Sequence, residues 1–396
     1  MSIYCKLCVY PIFAVNLSID SEGICSACRL AQQFNDLDSD FWERRKKLFE
    51  VEIERVLATT KGNYHCIIPV SGGKDSYYQI HKIVSDYELK PLLVTYNGNN
   101  YLPEGEYNRD RMHKVFDADH LMLSPSVQIL KKMNRLCFRK MGDMNWHAHC
   151  GIMTYPIQIA VKFQINTLFW GETAWDISGM FDPDDLVEFS ARTRLEHNLR
   201  GFDWQDMIND EIEIIHENDL AWAKYPSDQE IIESNVRGLY IGNYFKWDPN
   251  FQTELVKNRY GWMEYAKGFQ RTYRKMSNLD DRYENGVHDL LKFIKFGYGR
   301  ASDHASKDIR TGYISRDQAI DYVRHYDHVV SDDLYHWLDY VEMSEEEFWT
   351  TADSFRDPNV WWIENDLWFK NNIWGEPSSY GKHHLLDSFK QKFVRV

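Results

Sequence analysis

A chain of 396 residues is long enough for two or three domains with ample cores, which excludes a small disulfide-stapled scaffold. Its net charge of −14 argues against nucleic acid as a partner, because phosphate backbones are held by basic surfaces and no Lys/Arg cluster dominates any long stretch. No run of about 18 apolar residues occurs, and Met1-Ser2-Ile3-Tyr4-Cys5 lacks a basic segment leading into an apolar one, so a soluble cytoplasmic protein with no membrane span is expected.

The first element, residues 1–35, is marked by Cys5-x-x-Cys8 and Cys25-x-x-Cys28. Each pair of thiolates comes off one tight turn, and two such turns close a tetrahedron around Zn²⁺. Gly23 supplies the backbone freedom for the second turn. Four thiolates leave no open coordination position, so the expected zinc is structural; a redox pair or an iron–sulfur cluster is the alternative use of the same spacing. Seven cysteines in all, an odd number, fit a reducing compartment better than a disulfide framework.

Residues 36–61 are expected to form a connecting helix, with Phe41, Leu48, Val51 and Val56 set among charges. From residue 62 to 180, strand-like runs at 66–70, 91–96, 120–123 and 167–170 alternate with helix-like segments at 76–87, 105–116, 126–141 and 152–163. That alternation predicts an α/β domain around a parallel sheet covered on both faces. Ligands in such sheets bind beyond the carboxyl ends of the strands. Residues 181–396 read as a mainly helical region rich in aromatics, whose Trp361-Trp362 and Trp368-Phe369 suit helix packing or a sugar- or partner-binding surface. A capping box is expected at Ser344 to Glu347, and another at Ser315 to Gln318.

Chemistry concentrates first at Ser71-Gly72-Gly73-Lys74-Asp75-Ser76, between the apolar run 66–70 and a helix. Two glycines let N–H groups crowd onto a phosphate, the helix N-terminus adds positive potential, and Ser71, Lys74 and Ser76 add donors. This is not the Walker loop. It resembles the S-G-G-x-D-S loop of the PP-loop pyrophosphatases, which cleave ATP between the α- and β-phosphates. On that resemblance Lys74 neutralises phosphate charge and Asp75 holds Mg²⁺ or orients the loop. Asn97, after the second strand, is placed to meet adenine or ribose, or simply ends the strand in a turn. Gly171 and Glu172, after the fourth, offer close approach and a metal or ribose ligand, or a plain surface turn.

Trp146-His147-Ala148-His149-Cys150 puts His149 and Cys150 at a helix start, where a thiol is acidified and a catalytic role competes with ordinary packing. Residues 292–313 join flexible glycines to Lys295, Arg300, Asp303 and Arg310, a composition suited to gripping a diphosphate or carboxylate.

Taken together, the cysteine pairs, S-G-G-K-D-S, the W-x-x-H-C of residues 146–150 and F-G-Y-G-R-A-S-D-H-A-S-K-D-I-R-T-G-Y-I-S-R of residues 296–316 resemble the N-acetyl sugar amidotransferases of bacterial surface-polysaccharide synthesis. The resemblance implies an adenine nucleotide α-hydrolase-like sheet and conversion of an acetamido group on a nucleotide-activated sugar to an acetamidino group. It implies ATP and Mg²⁺ in the reaction, and ammonia from a separate glutaminase assembly similar to the imidazole glycerol phosphate synthase pair. A built-in glutaminase is not expected: position 2 is Ser2, and no cysteine sits in a G-x-C-x-G elbow. The alternatives are a PP-loop tRNA thiolase with Cys137 and Cys150 as sulfur carriers, and a non-catalytic nucleotide-binding scaffold of a glycan-synthesis complex.

Overall fold

The computed structural model describes residues 4–171, 185–208 and 210–395. The chain opens with the cysteine module, in which two isolated antiparallel bridges, Tyr4 with Pro11 and Ile19 with Cys25, precede α1 (Ser26–Asn35). Helix α2 (Ser39–Thr59) follows, with Asp38 as N-cap accepting from the Phe41 N–H.

The α/β unit contains β1 (Cys66–Pro69), α3 (Lys74–Ile80, prolonged by a π-turn to Asp86), β2 (Pro91–Tyr96), α4 (Pro103–Val115), β3 (Asp119–Leu123), α5 (Val127–Met141), α6 (Trp146–Phe163) and β4 (Thr167–Trp170). Every residue of β1, β2 and β4 is buried, as continuous apolar runs between two helical layers require. One face of the sheet packs on α2 and α3 through Phe49, Tyr77 and Phe169. The other packs on α6 through Ile157 and Ala160.

The sheet does not stop at β4. After β5 (Glu188–Phe189), a short α7 (Ala191–Thr193) and α8 (Asp228–Ser234), strand β6 (Arg237–Tyr240) joins β4 in parallel and β5 closes the edge antiparallel. The spatial order is β3-β2-β1-β4-β6-β5, a mainly parallel six-stranded sheet. The sequence reading assigned this stretch to the helical region. Its strands were hidden because β5 has two residues, and because β6 begins Arg237-Gly238, with a charged residue and a glycine where an apolar pair would signal a strand. Gly238 is needed there, since a Cβ would lie 2.7 Å from Phe189 and 2.9 Å from the Trp170 ring nitrogen. The boundary expected at 180/181 falls outside the described residues.

Helix α9 (Pro249–Tyr260), capped by Asp248 and ended by left-handed Gly261, packs on α3 and completes that layer. The remainder is helical: α10 (Arg282–Phe296), α11 (Arg300–Arg310), α12 (Arg316–Tyr326), α13 (Asp333–Val341) and α14 (Glu345–Ser354). A three-stranded antiparallel sheet, β7 (Trp362–Glu364), β8 (Leu367–Asn371) and β9 (Pro377–Lys382), and α15 (Asp387–Lys390) end the fold. Ser315 and Gln318 form the expected capping box; Ser344 caps α14 by accepting from the Glu347 N–H at 3.1 Å. Trp361 and Trp368 are core residues: they are buried, with the Arg356 guanidinium 4.3 Å from one ring centre and 4.5 Å from the other. Among the described residues no helix is long and apolar enough to cross a membrane.

Candidate functional site

Cys5, Cys8, Cys25 and Cys28 are buried, and their Sγ atoms lie within 4.8 Å of one another, with Cys8 and Cys25 sulfurs 3.7 Å apart. A tetrahedron of sulfurs at about 2.3 Å from zinc has edges close to that separation. The Cys8 and Cys25 N–H groups point at Cys5 Sγ, at 3.5 and 3.3 Å, and stabilise thiolate charge. Gly23 is left-handed (φ +82°), as the second turn requires. These residues fit a closed structural zinc site. The module docks on the C-terminal helices: Arg316 donates to the carbonyls of Cys8 and Cys5 at 3.2 and 3.3 Å, Tyr10 donates to Asp303 at 3.0 Å, and the Val15 N–H donates to the Tyr298 hydroxyl at 3.1 Å.

The loop Ser71–Ser76 follows β1 at its carboxyl end and opens α3. Gly72 has φ +89°, and a Cβ on it would lie 2.8 Å from the Arg109 backbone, so both conformation and space demand glycine. The Trp262 ring N–H fixes its carbonyl at 3.0 Å, and the Ser76 hydroxyl accepts the Ser71 N–H at 2.9 Å. Gly73 occupies the N-cap of α3 with no side chain covering the first-turn N–H groups. Lys74 Nζ meets Asp75 Oδ2 at 2.6 Å, while Asp75 Oδ1 is buried without a hydrogen-bond partner.

Above this loop is a cavity of about 430 Å³, a size typical of small-molecule sites. Its walls come from both ends of the chain. Ser71, Lys74, Asp75 and Gly171 face Asp280, Asp281, Arg300 and His304. Gly171 is packed so closely on Gln79 that a Cβ would overlap the amide at 1.9 Å. Asp281 adopts φ +46° just before α10, and its carboxylate crowds Gly98, where a Cβ would lie 2.5 Å from Oδ2. Burial, with Glu284 and Asp280 beside it, pushes the Asp281 carboxyl well above the usual range. Its Oδ1 has no hydrogen-bond partner. Burial and the nearby Arg274 and Arg300 keep His304 neutral, and its Nδ1 pairs with the Thr272 hydroxyl at 2.6 Å.

The other expected residues are distributed as follows. Asn97 serves its own loop: its amide donates to Ser124 at 2.9 Å and its oxygen accepts from the Asn99 N–H at 3.2 Å. Glu172 lies outside the described residues. On α11, Arg300 and His304, four residues apart, line the cavity; Asp303, 3.8 Å from the Arg300 guanidinium, also pairs with Lys292 at 2.5 Å and accepts from Tyr10 of the cysteine module. Arg310 lies near the Tyr10 ring, 5.8 Å from its centre. Lys295 sits elsewhere, beside Asp143 and Arg200. The four are not one cluster.

The thiol at Cys150 is not activated. Helix α6 begins at Trp146, which puts Cys150 in the second turn and fully buried; burial pushes its thiol up to about 11. Burial likewise raises Cys137, 3.8 Å from the Met207 sulfur. Instead, the 146–150 motif holds a loop. The Trp146 ring N–H donates to the Phe202 carbonyl at 3.2 Å, and Cys150 and Thr154 accept from Arg194, which pairs with Asp203.

Sequence reasoning missed Asp280, Asp281 and His304. An acidic pair immediately before a helix was the available signal, but it also reads as ordinary helix-start charge. His304 was inside the polar segment already singled out.

Burial pushes His149 and His120 down to about 4. Their folded values lie below the unfolded one of about 6.5, so this stability is fully present above pH 6.5 and is lost as pH falls toward 4. Each imidazole is expected to cost up to about 2 kcal/mol at pH 5. Thermal melting should therefore show a lower midpoint at pH 5 than at pH 7; equal midpoints would contradict the buried neutral assignment.

A family model described as the C-terminal domain of WbpG-like lipopolysaccharide (LPS) biosynthesis proteins matches residues 267–373. That stretch includes α10 to α14 and carries Asp280, Asp281, Arg300 and His304. An uncharacterised protein of Methanocaldococcus jannaschii is 29% identical over 125 residues, covering 30% of this chain and 42% of that protein. A solved structure described as a predicted subunit of tRNA methyltransferase from the same organism aligns over 48% of this chain and 75% of its own, at 12% identity and a TM-score of 0.26. A likeness that weak carries no argument.

Proposed function

We propose that this chain is an ATP-dependent amidotransferase of surface-polysaccharide synthesis that converts the acetamido group of a nucleotide-activated sugar to an acetamidino group. The observation that supports it best is the shared cavity: the S-G-G-K-D-S loop forms one wall, and residues of the segment matching the LPS-biosynthesis domain form the other. In this reading residues 62–260 bind ATP and residues 267–396 contribute the sugar side.

The amide oxygen attacks the α-phosphorus of ATP and pyrophosphate leaves; ammonia then displaces AMP from the imidoyl adenylate. Asp75, whose Oδ1 is buried without a partner, would hold Mg²⁺, which would supply charge neutralisation at the phosphates. Lys74 and the uncapped N–H groups of α3 stabilise charge on the phosphates as it develops. The proton that ammonia must lose needs a base, and the cavity wall offers the carboxyl groups of Asp75, Asp280 and Asp281. The wall formed by residues 276–281 and α11 keeps water from the adenylate. The thiolase alternative loses support, because a sulfur carrier needs an accessible thiolate and both Cys137 and Cys150 are buried with raised values.

The test is ATP cleavage to AMP and pyrophosphate. Product is expected with ammonium salts, increasingly as pH rises and more free NH₃ is present, and not with glutamine unless a separate glutaminase is added. ADP and orthophosphate as primary products would mean the loop is misread. Glutamine-dependent turnover by the chain alone would refute external ammonia, and bound ATP that never turns over would favour the scaffold reading.

A further inference from the structure

A row of polar side chains runs from the cavity wall into the core, and none of it has a part in the chemistry described so far. Tyr96, the last residue of β2, lines the cavity together with Asp75 and Asp281. Its hydroxyl lies 3.2 Å from His147 Nδ1, and His147 Nε2 lies 2.9 Å from Glu284 Oε2. The His147 and Glu284 side chains are completely buried.

The hydrogen-bond directions follow from the outermost member. The Trp337 ring N–H can only donate, and it donates to Asn134 Oδ1 at 2.8 Å. The Asn134 amide nitrogen therefore faces Glu284 and donates to Oε1 at 3.1 Å. Glu284 stands in the first turn of α10, where the helix N-terminus favours a carboxylate, so its second oxygen accepts from His147 Nε2. That leaves the Nδ1 lone pair to accept from the Tyr96 hydroxyl. Carboxylate, imidazole and hydroxyl in this order make the arrangement of a hydrolase triad, with a phenol in place of serine.

The surrounding elements fit the ring closely. His147 and Gly151, four residues apart, share one face of α6, and a Cβ on Gly151 would overlap the Tyr96 ring. Burial, with Cys150, Asp281 and Glu284 nearby, raises the Tyr96 hydroxyl well above its ordinary value, so it stays protonated and can pass a proton on but not act as the final base. A structural pin between α5, α10 and α13 would account for Asn134, Glu284 and Trp337. It would not require the row to end in the cavity wall, at a hydroxyl whose one hydrogen-bond partner among the described residues is His147.

We infer that Tyr96, His147 and Glu284 form a proton relay for the ammonia step, carrying away the proton that the attacking nitrogen must lose. The relay rests on the amidotransferase reading. Once the ammonia lone pair has bonded to the imidoyl carbon, the cationic nitrogen gives a proton to Tyr96 Oη while the proton already on Tyr96 passes to His147 Nδ1. The imidazolium so formed is paired with Glu284. The C–O bond to AMP breaks with its electron pair on the phosphate oxygen, and the proton returns through Tyr96 to solvent after the products leave. Tyr96 touches the nucleophile; His147 and Glu284 act through it, as positioning residues.

The test separates the two halves of the reaction on the full, zinc-loaded chain. Adenylation is read as exchange of labelled pyrophosphate into ATP with a panel of UDP- and GDP-activated acetamido sugars and no ammonium; the ammonia step is read as amidino product once ammonium is added. Tyr96→Phe keeps the ring and should keep the melting temperature. It is expected to slow the ammonia step roughly a hundredfold while exchange changes far less, and His147→Gln should do the same. Hydroxylamine in place of ammonium should recover much of the lost rate, because its nitrogen, once bonded, sheds a proton to water far more readily. A packing role would leave both nucleophiles equally impaired. Equal losses in exchange and in product, equal losses with both nucleophiles, or a Tyr96→Phe chain that forms amidine at the normal rate would each overturn the relay. Failure of the amidotransferase reading would show earlier, in an unaltered chain that neither exchanges pyrophosphate nor forms amidine with any sugar, and the relay would fall with it.

Discussion

Replacing Lys74 by alanine is expected to lower ATP cleavage by roughly a hundredfold or more, corresponding to about 3 kcal/mol of lost transition-state stabilisation. The ammonium lies at the first residue of α3, paired at 2.6 Å with Asp75, and both line the cavity that Arg300 and His304 close from the other side. A charge in that position does its work when pyrophosphate leaves, so the loss should fall on kcat more than on KM for ATP. Thermal stability should hold, because Lys74 supports no packed core. Steady-state kinetics and a melting curve on the same preparation check this. A variant that turns over at near-normal rate would remove Lys74 from the chemistry.

Cys25→Ser should have the larger effect on the molecule as a whole. Metal content is expected to fall from about one Zn²⁺ per chain to a minor fraction, and the module should lose its fold with it, because binding and local folding are one equilibrium. The consequence should reach the cavity. Arg316 holds the carbonyls of Cys5 and Cys8, and Tyr10 holds Asp303 on α11, three residues from Arg300 and 3.8 Å from its guanidinium, on the helix that presents Arg300 and His304 to the cavity. Turnover should therefore drop along with metal content and melting temperature. Full zinc in the variant, measured by elemental analysis, would rule out the four-thiolate site; loss of zinc with unchanged turnover would break the proposed link between module and α11.

What was legible in the sequence follows from the range of the interactions involved. Apolar runs such as Cys66–Pro69 and Pro91–Tyr96 declare buried strands locally, and the cysteine pairs announce themselves by spacing. The loop at Ser71–Ser76 is likewise a local object. Strand β6 was not legible, because its place depends on β4 beside it rather than on its own residues. The several contacts of α11 were also invisible. One polar stretch looked like one site, yet Arg300 and His304 line the cavity while Asp303, paired with Arg300, also holds Tyr10 of the cysteine module. The 146–150 motif left a catalytic, acidified thiol competing with ordinary packing; the fold buries Cys150 and uses Trp146 to hold the loop that carries Arg200.

The central claim is that the chain exchanges an amide oxygen for nitrogen on an activated sugar. The direct measurement is mass spectrometry of nucleotide-activated acetamido sugars after incubation with the protein, ATP, Mg²⁺ and ammonium. The expected result is a sugar product lighter by the exchange of O for NH, formed in step with AMP and absent when ATP is omitted or Lys74 is replaced. AMP released with every sugar in the panel left at its original mass would contradict the account.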